Sequence, residues 1–204
     1  MVIITFDCYG TLVDWVYSLG SYISKYVDKD AVEEFFLCDF EEVKTYRPYS
    51  EILKTCLKKI MDSRKLKYTK EHGEAFVRAF AKSPPFPDTL YGLLKLKKKG
   101  FKIGIISNTE KKLIRVTLAG LLDLIDYIIT AEDTGFFKPD VRAFKNAFKI
   151  LGADISEIIH VSSYPHYDLI PARELGLRTI HVKRYEYTWP EEVQGIDELA
   201  DYLS

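Results

Sequence analysis

The chain has 204 residues, 47% of them hydrophobic and 14% aromatic, and 29 basic and 30 acidic side chains leave a net charge of −1. This length and composition predict a globular protein with one sizeable core, with or without an insertion, and exclude a disordered chain. The balanced charge gives no reason to expect nucleic acid or an anionic membrane as a partner, and no stretch is apolar for long enough to cross a bilayer.

Cysteine usage indicates a reducing compartment. Cys8, Cys38 and Cys56 lack the spacing of metal ligands, and their number is odd. Asp7 interrupts the apolar N-terminal run after six residues, so the run does not have the pattern of a secretory signal. We therefore predict a cytoplasmic protein without disulfide bonds.

The first predicted element is a buried strand that ends in a carboxylate. Residues 2–6 are apolar almost without interruption, and Asp7, Gly10 and Thr11 follow. Such a run is typical of a strand buried on both faces, and open α/β sheets bind ligands at the carboxyl ends of their strands. Asp7 is therefore a candidate functional residue, although an aspartate could equally cap a turn here.

The segment from about residue 15 to residue 83 predicts helices and no strand. Apolar residues recur at helical spacing around residues 19–27, 35–43, 52–60 and 76–80, and Pro48 marks the start of the third helix. A proline-rich stretch at residues 83–88 ends the region. We interpret the region as an inserted helical module, which would either close over the site as a lid or serve as a purely structural lobe.

Beyond the prolines, strands alternate with helices. Strands are predicted near Lys102–Ser107, Tyr127–Thr130, Ile158–Ser162 and residues 179–182, and helices near residues 88–99, 110–119, 140–151, 171–175 and 196–203. This alternation predicts right-handed crossovers and a parallel sheet. The predicted fold class is α/β, with a three-layer Rossmann-like core made of residues 1–14 and 86–204 and an all-helical cap of residues 15–85.

Polar residues follow each central strand of the predicted sheet. In chain order they are Asp7, then Ser107 and Asn108, then Lys138, then Ser162, Ser163 and Asp168. Each one alone has an ordinary explanation as a helix cap or a solvated loop residue. Because the carboxyl ends of parallel strands lie at one edge of a sheet, the set predicts a common site.

At these positions the sequence resembles the haloacid dehalogenase superfamily, over essentially the whole chain. The resemblance rests on four motifs in order, Asp7-Cys8-Tyr9-Gly10-Thr11, Ser107-Asn108, Lys138-Pro139-Asp140 and the loop ending in Asp168. The insertion is similar to the small helical cap of that superfamily, and further short motifs are similar to its 2-haloacid dehalogenase-like group.

The resemblance implies a hydrolase in which Asp7 is the nucleophile and forms an aspartyl ester that water then hydrolyses. Thr11 would orient the Asp7 carboxylate, Lys138 would neutralise charge around it, and Asp168 would hold Lys138 or orient water. The substrate would be a small anionic organic molecule, bound by the oxygens and amides of Tyr9, Ser107, Asn108, Ser162 and Ser163. Either a monomer or a homodimer is compatible with the sequence.

Two positions favour cleavage of a carbon–halogen bond over hydrolysis of a phosphate ester. Phosphatases of the superfamily carry a second aspartate two residues after the nucleophile, where this chain has Tyr9. That acid protonates an alkoxide, and losing a general acid costs about 10²–10⁴-fold in rate, whereas a halide needs no proton. Their Mg²⁺-binding Gly-Asp pair is replaced by Ser162-Ser163, which resembles the Ser-Ser of the dehalogenases. The leading interpretation is therefore a 2-haloacid dehalogenase with no cofactor.

The chain also departs from the dehalogenase pattern. The asparagine and tryptophan that follow the Ser-Ser pair are absent, and the loop to Asp168 is one residue longer, as in the phosphatases. Residues 27–40 lack the arginine with which these enzymes grip the halide, so Arg47 is the nearest candidate.

Two alternatives therefore stay open. The first is a Mg²⁺-dependent phosphatase acting on a small phosphate ester, with Asp7, the Tyr9 carbonyl and Asp168 around the metal. The second is a non-catalytic binding protein on the same fold. His160, inside the fourth predicted strand, and His166, in the loop after it, are assigned no catalytic role.

Overall fold

The computed structural model describes residues 2–203 and contains one sheet of six parallel strands. Their order across the sheet is β3-β2-β1-β4-β5-β6, which places the first strand of the chain near the centre. The strands are β1 (Ile3–Phe6), β2 (Lys102–Ser107), β3 (Tyr127–Thr130), β4 (Ile158–Ser162), β5 (Arg178–Val182) and β6 (Glu192–Val193). The α/β parallel sheet predicted from the alternating pattern is confirmed.

Strand β1 pairs with a neighbour on both edges, and its side chains are buried on both faces of the sheet. Phe6 lies opposite Ile105 of β2 and Val161 of β4, and all four residues of β1 are buried. An apolar run of this kind removes its side chains from water on both sides of the sheet. Asp7, the next residue, therefore leaves the sheet at the middle of its carboxyl edge.

Ten helices surround the sheet within the described residues. They are α1 (Trp15–Tyr26), α2 (Ala31–Glu42), α3 (Tyr49–Ser63), α4 (Lys70–Ala81), α5 (Thr89–Lys98), α6 (Lys111–Thr117), α7 (Ala131–Thr134), α8 (Val141–Leu151), α9 (Ile170–Glu174) and α10 (Ile196–Tyr202). Only β6 and α7 are absent from the sequence prediction, because two and four residues are too few to show a hydrophobic period.

Helices α1–α4 lie between β1 and α5 in the chain, within the segment predicted to be a cap. Both connections to the sheet run side by side: the Asp14 amide donates to the Pro84 carbonyl at 2.8 Å, and the Phe86 amide donates to the Leu12 carbonyl at 3.0 Å. The hydrophobic core continues from the sheet into the four helices, since Tyr9 stacks on Phe80 of α4 with ring centres 3.9 Å apart. The division into two domains stays a prediction.

The prediction of a chain without disulfide bonds is wrong. Cys38 of α2 and Cys56 of α3 form a disulfide with a Cα–Cα distance of 5.7 Å, and Cys8 is left as a buried free thiol. The packing of α2 against α3 brings these two positions together, and a count of cysteines carries no information about such tertiary neighbours. Among residues 2–203, no helix combines the length and apolarity needed to span a membrane.

Candidate active site

The Asp7 carboxylate lies at the carboxyl edge of the sheet with a partner on each oxygen. Oδ2 accepts a hydrogen bond from the Thr11 hydroxyl at 2.9 Å, and Oδ1 accepts one from Lys138 Nζ at 2.9 Å. The Thr11 hydroxyl in turn accepts from the Ser163 amide at 3.0 Å. The carboxylate is therefore held in one orientation by Thr11 and Lys138, and Thr11 is itself fixed by the Ser163 amide.

The turn after Asp7 requires glycine at position 10. Gly10 has φ of +87°, in the left-handed region, and a Cβ there would collide with the Tyr164 hydroxyl. That hydroxyl accepts a hydrogen bond from Trp15 Nε1 at 2.9 Å, which joins helix α1 to the loop after β4. Any side chain at position 10 would displace Tyr164 from the site.

Lys138 is buried and uses all of its donors within the protein. Its Nζ contacts Asp7 Oδ1 at 2.9 Å, the Ile106 carbonyl at 2.8 Å and Asp168 Oδ1 at 2.6 Å, with 2% of the side chain exposed. An ammonium carries three N–H groups, so no donor remains for another molecule. Lys138 therefore links the two carboxylates and neutralises one of their two charges.

His160 is a site residue that sequence reasoning missed. Its Nε2 lies 2.9 Å from Asp168 Oδ1 and its Nδ1 lies 2.9 Å from the hydroxyl of Thr5, the residue opposite it on β1. The available signal was that Thr5 and His160 are polar residues inside two largely apolar buried strands, β1 and β4. Polar groups at such positions need each other as partners.

The pKa values of the three buried charged groups follow from this arrangement. Burial raises the pKa of Asp7, an effect that Asp168 reinforces and Lys138 opposes. Burial acts on Asp168 in the same sense, but Lys138 and His160 outweigh it and hold the pKa of Asp168 below its ordinary value. Burial would lower the pKa of Lys138, and the two carboxylates more than reverse this, so the ammonium stays charged.

Asn108 orients Lys138 through the backbone. Its side-chain oxygen accepts from the Lys138 amide at 2.7 Å, and its side-chain nitrogen donates to the Lys138 carbonyl at 2.8 Å. Both ends of the amide are thus occupied, whereas the buried Ser107 hydroxyl has no partner within the described part of the chain. Of Ser107 and Asn108, both predicted to bind the substrate, Ser107 has the polar group without a partner.

Two serines follow β4. The Ser162 hydroxyl accepts from the Tyr164 amide at 3.0 Å and serves the loop. The Ser163 hydroxyl is buried and without a partner among residues 2–203, while its amide holds Thr11. Neither serine lines the cavity beside Asp7, so Ser163 serves the site through the amide that holds Thr11.

Tyr9 and Arg47 differ from the other candidates. The Tyr9 hydroxyl lies 2.7 Å from the Thr117 hydroxyl, and its ring forms part of the cavity wall, stacked on Phe80. The Arg47 guanidinium is paired with Glu42, and Arg47 does not line the cavity. The structure therefore does not bring Arg47 together with the other candidates.

Asp168 lies in a π-helical turn over Pro165–Leu169, within the loop that is one residue longer than the dehalogenase pattern. A π turn takes one more residue than an α-helical turn and is frequent at functional sites. Within this turn Asp168 lies within hydrogen-bond distance of Lys138 and His160.

A cavity of about 730 Å³ opens beside Asp7, between helices α1, α2 and α4 and the loops after β4 and β5. Its wall is largely aromatic and comprises Tyr9, Trp15, Phe36, Phe40, Tyr49, Phe80, Tyr164, Tyr167, Tyr185 and Tyr187, together with acidic Glu33 and Asp39. Lys138 is the one lysine or arginine among the described lining residues. The cavity can therefore hold an organic molecule against Asp7 but offers little positive charge.

The residues present do not fit a magnesium ion. Mg²⁺ demands an octahedral set of oxygen ligands. Here Lys138 Nζ already contacts one oxygen each of Asp7 and Asp168, and Ser163 stands where the phosphatase pattern has a further carboxylate. Within residues 2–203 there is no cluster of three acidic, histidine or cysteine residues suited to a metal.

Comparison with known proteins gives one family and two kinds of relative. The family model of the haloacid dehalogenase-like hydrolases matches residues 1–176. The chain is 32% identical over 120 residues to a glyceraldehyde 3-phosphate phosphatase of Methanocaldococcus jannaschii, covering 58% of this chain and 51% of that protein. It is 33% identical over 121 residues to an (S)-2-haloacid dehalogenase of a Pseudomonas species, covering 58% and 52%. The chain thus spans about half the length of these two relatives.

Among solved structures, an L-2-haloacid dehalogenase from Xanthobacter autotrophicus with chloropropionic acid covalently bound superposes with a TM-score of 0.89. The alignment covers 100% of this chain and 98% of that one at 18% identity. A likeness at this identity shows that the two chains share a fold.

Proposed function

Because the chain belongs to the haloacid dehalogenase-like hydrolases, we propose that it hydrolyses the carbon–halogen bond of a 2-haloacid, with Asp7 as the nucleophile. An oxygen of Asp7 attacks the carbon that bears the halogen, a carbon–oxygen bond forms, and the halide leaves with the bonding electron pair. Water then attacks Cγ of the resulting ester. The 2-hydroxy acid departs with the original Asp7 oxygen, Asp7 retains an oxygen from water, and one proton is released.

The observation that carries this proposal is that every N–H donor of the Lys138 ammonium is already hydrogen-bonded within the protein. Its three N–H groups are spent on Asp7, Asp168 and Ile106, so the ammonium has no donor left for a substrate anion. Two unit charges about 4 Å apart interact by roughly 4 kcal/mol at an effective dielectric of about 20, and a phosphate dianion would face about twice that repulsion from Asp7. A haloacid carries one negative charge, displaced from the reacting carbon.

The leaving group supports the same proposal. Tyr9 stands where a phosphatase would carry its general acid, and its hydroxyl is paired with Thr117. Burial raises the pKa of Tyr9 well above its ordinary value, so the phenol keeps its proton. A halide departs without protonation, whereas an alkoxide does not.

The remaining groups would bind and enclose the substrate. The unpaired hydroxyl of Ser107, a residue that lines the cavity, is a neutral donor suited to a single carboxylate. Asp168, held by His160, would keep Lys138 against Asp7. Helices α1, α2 and α4 would act as a cap that excludes water from the cavity.

A Mg²⁺-dependent phosphatase is the second candidate, favoured by the phosphatase relative and by the loop length before Asp168. The donor set described above weighs against it. A non-catalytic binding protein would not need the buried charged groups of Asp7, Lys138 and Asp168, so their presence weighs against that alternative.

One screen separates the three functions. Halide and phosphate release are measured with 2-haloacids and small phosphate esters, in chelator and in Mg²⁺, for the native protein and Asp7→Asn. We expect halide release that chelator does not affect and that Asp7→Asn abolishes. In a single turnover in ¹⁸O-labelled water, the label should enter Asp7 rather than the hydroxy acid. Phosphate release that requires Mg²⁺, without halide release, would overturn the proposal.

A further inference from the structure

The cavity beside Asp7 is much larger than a small haloacid requires. A volume of about 730 Å³ corresponds to roughly 24 water molecules at about 30 Å³ each. A two- or three-carbon haloacid would displace only about four of them. The volume lies within the range of about 300–1,000 Å³ found for sites that hold larger organic ligands.

Aromatic rings form the wall of this space from two sides. Trp15 of α1 contacts Phe36 of α2 and Phe80 of α4, with ring centres 5.0 and 6.0 Å apart. From the core side, Tyr164 stacks on Tyr185 with ring centres 5.2 Å apart. Each ring is held by another ring of the wall, so the space exists before a ligand enters.

The two sides also contact each other. Phe40 of α2 meets Tyr167 of the π turn edge-on, with ring centres 5.4 Å apart. Because the rings are fixed by mutual contact, a ligand that fills the space loses little free energy to rearrangement of the wall. An apolar ring that slides between these faces would gain offset or edge-on contacts of the same kind.

The charges on the wall exclude a second anionic group on the substrate. The helices contribute the acidic side chain of Glu33 and the carboxyl of Asp39, whose pKa burial raises to about 7, and all three donors of Lys138 are engaged. The part of the substrate that extends away from Asp7 should therefore carry no negative charge, and the aromatic rings that make up most of the wall suit an apolar group.

We propose that the substrate carries a bulky apolar group of aromatic size next to the carbon attacked by Asp7, and that this group occupies the aromatic part of the cavity. This inference rests on the proposed function, and it replaces a small haloacid by an aryl-substituted one. A simple representative is 2-chloro-3-phenylpropionate.

The first test compares substrates that differ only in this group. Halide release is measured for chloroacetate, 2-chloropropionate and 2-chloro-3-phenylpropionate. We expect kcat/KM to be at least tenfold higher for the phenyl compound than for chloropropionate. Equal or lower kcat/KM for the phenyl compound would overturn the inference while leaving the proposed function intact.

The second test fills the cavity. Val16 of α1 lines it, so Val16→Phe places a ring in the proposed aryl site. We expect kcat/KM to fall at least tenfold more for the phenyl compound than for chloropropionate. Val116→Phe, at a position 51% exposed on α6 outside this cavity, is the matched control and should not discriminate. An equal loss for both substrates in Val16→Phe would contradict the inference.

Binding to Asp7→Asn separates the inference from the chemistry. Titration calorimetry with 3-phenylpropionate and propionate needs no reaction. At least tenfold tighter binding of the phenyl acid supports the inference even if no halide is ever released, in which case the proposed function fails alone. Absence of any preference contradicts the inference whatever the catalytic outcome.

Discussion

The imidazole of His160 lies 2.9 Å from Asp168, on the same carboxylate oxygen that receives the Lys138 ammonium. Its other nitrogen is engaged by Thr5, so both ends of the ring are held. A buried hydrogen-bonded chain thus runs from β1 through His160 and Asp168 to Lys138, and ends at Asp7. The position of the Lys138 ammonium beside Asp7 therefore depends on His160, a residue that does not line the cavity.

Two amide substitutions separate the functions of the His160 nitrogens. The Nε2 of His160→Gln can replace the contact to Asp168, and the Nδ2 of His160→Asn can replace only the contact to Thr5. Losing a partner of a buried polar group costs about 1–3 kcal/mol, so both variants should melt earlier. We expect kcat for halide release to fall about tenfold further in His160→Asn than in His160→Gln, measured beside melting temperature. Equal kcat values would show that the Asp168 contact serves stability alone.

Lys138→Met should destabilise the protein in a pH-dependent manner. It leaves Asp7 and Asp168 buried with their shared cation removed, and breaking a buried pair in this way costs about 3–5 kcal/mol. At lower pH one carboxyl takes up a proton and the repulsion disappears, so the loss should be largest at pH 8 and smaller at pH 5. Thermal melts at both pH values measure it, and halide release should be abolished.

The control for this variant is Lys70→Met, whose side chain is 83% exposed. It should melt like the native protein at both pH values. A loss in Lys138→Met that is the same at pH 5 and pH 8 would contradict the charge argument and point to packing instead.

Asp39 makes the native protein less stable as the pH rises. Its side chain is 5% exposed and accepts one hydrogen bond, from the Tyr49 hydroxyl at 2.8 Å. Burial raises the pKa of Asp39 from 3.8 to about 7. The folded state therefore holds this proton where the unfolded state has released it, so stability falls between about pH 4 and pH 7.

Asp39→Asn removes this dependence. The difference in unfolding free energy between the variant and the native protein should shift in favour of the variant from pH 4 to pH 8, by up to about 4 kcal/mol. Denaturant melts across this range measure it, with the exposed Asp123→Asn as control. A pH-independent difference would show that Asp39 titrates normally.

The disulfide between Cys38 and Cys56 can be counted chemically. Unfolded without reductant, the chain should present one reactive thiol, that of Cys8, and after reduction three. The link closes a loop over 18 residues of sequence separation, for which chain entropy predicts about 3 kcal/mol of stabilisation. Cys38→Ala should lower the unfolding free energy by about that amount. Three thiols before reduction would contradict the pairing.

Sequence alone locates the site because strand ends are a local property. The apolar run before Asp7 specifies both a buried strand and the point where it stops, and Lys138 follows the third strand in the same way. The positions of Tyr9 and Ser163 likewise depend on spacing within a motif. Strand ends and spacings of this kind can be predicted from the sequence without knowing which segments pack against them.

The contacts that sequence reasoning missed depend on packing between distant segments. The Asn108 amide binds backbone 30 residues away, and Cys38 meets Cys56 only because α2 lies against α3. Arg47 had the right charge near the right place, but Glu42 in the preceding helix takes its guanidinium. Which partner a side chain selects is settled by geometry that no local pattern encodes.

The paired connections at Leu12–Asp14 and Pro84–Phe86 restrict how the cavity can open. Two adjacent backbone segments are hydrogen-bonded to each other as an antiparallel bridge at Val13 and Pro85, so the chain enters and leaves the four helices at one place. The Phe40–Tyr167 contact joins helix α2 to the loop after β4. The four helices are thus joined to the rest of the chain at two separate places, by backbone at the bridge and by side chains beside the cavity, which favours a cavity wall that is already formed before the substrate binds.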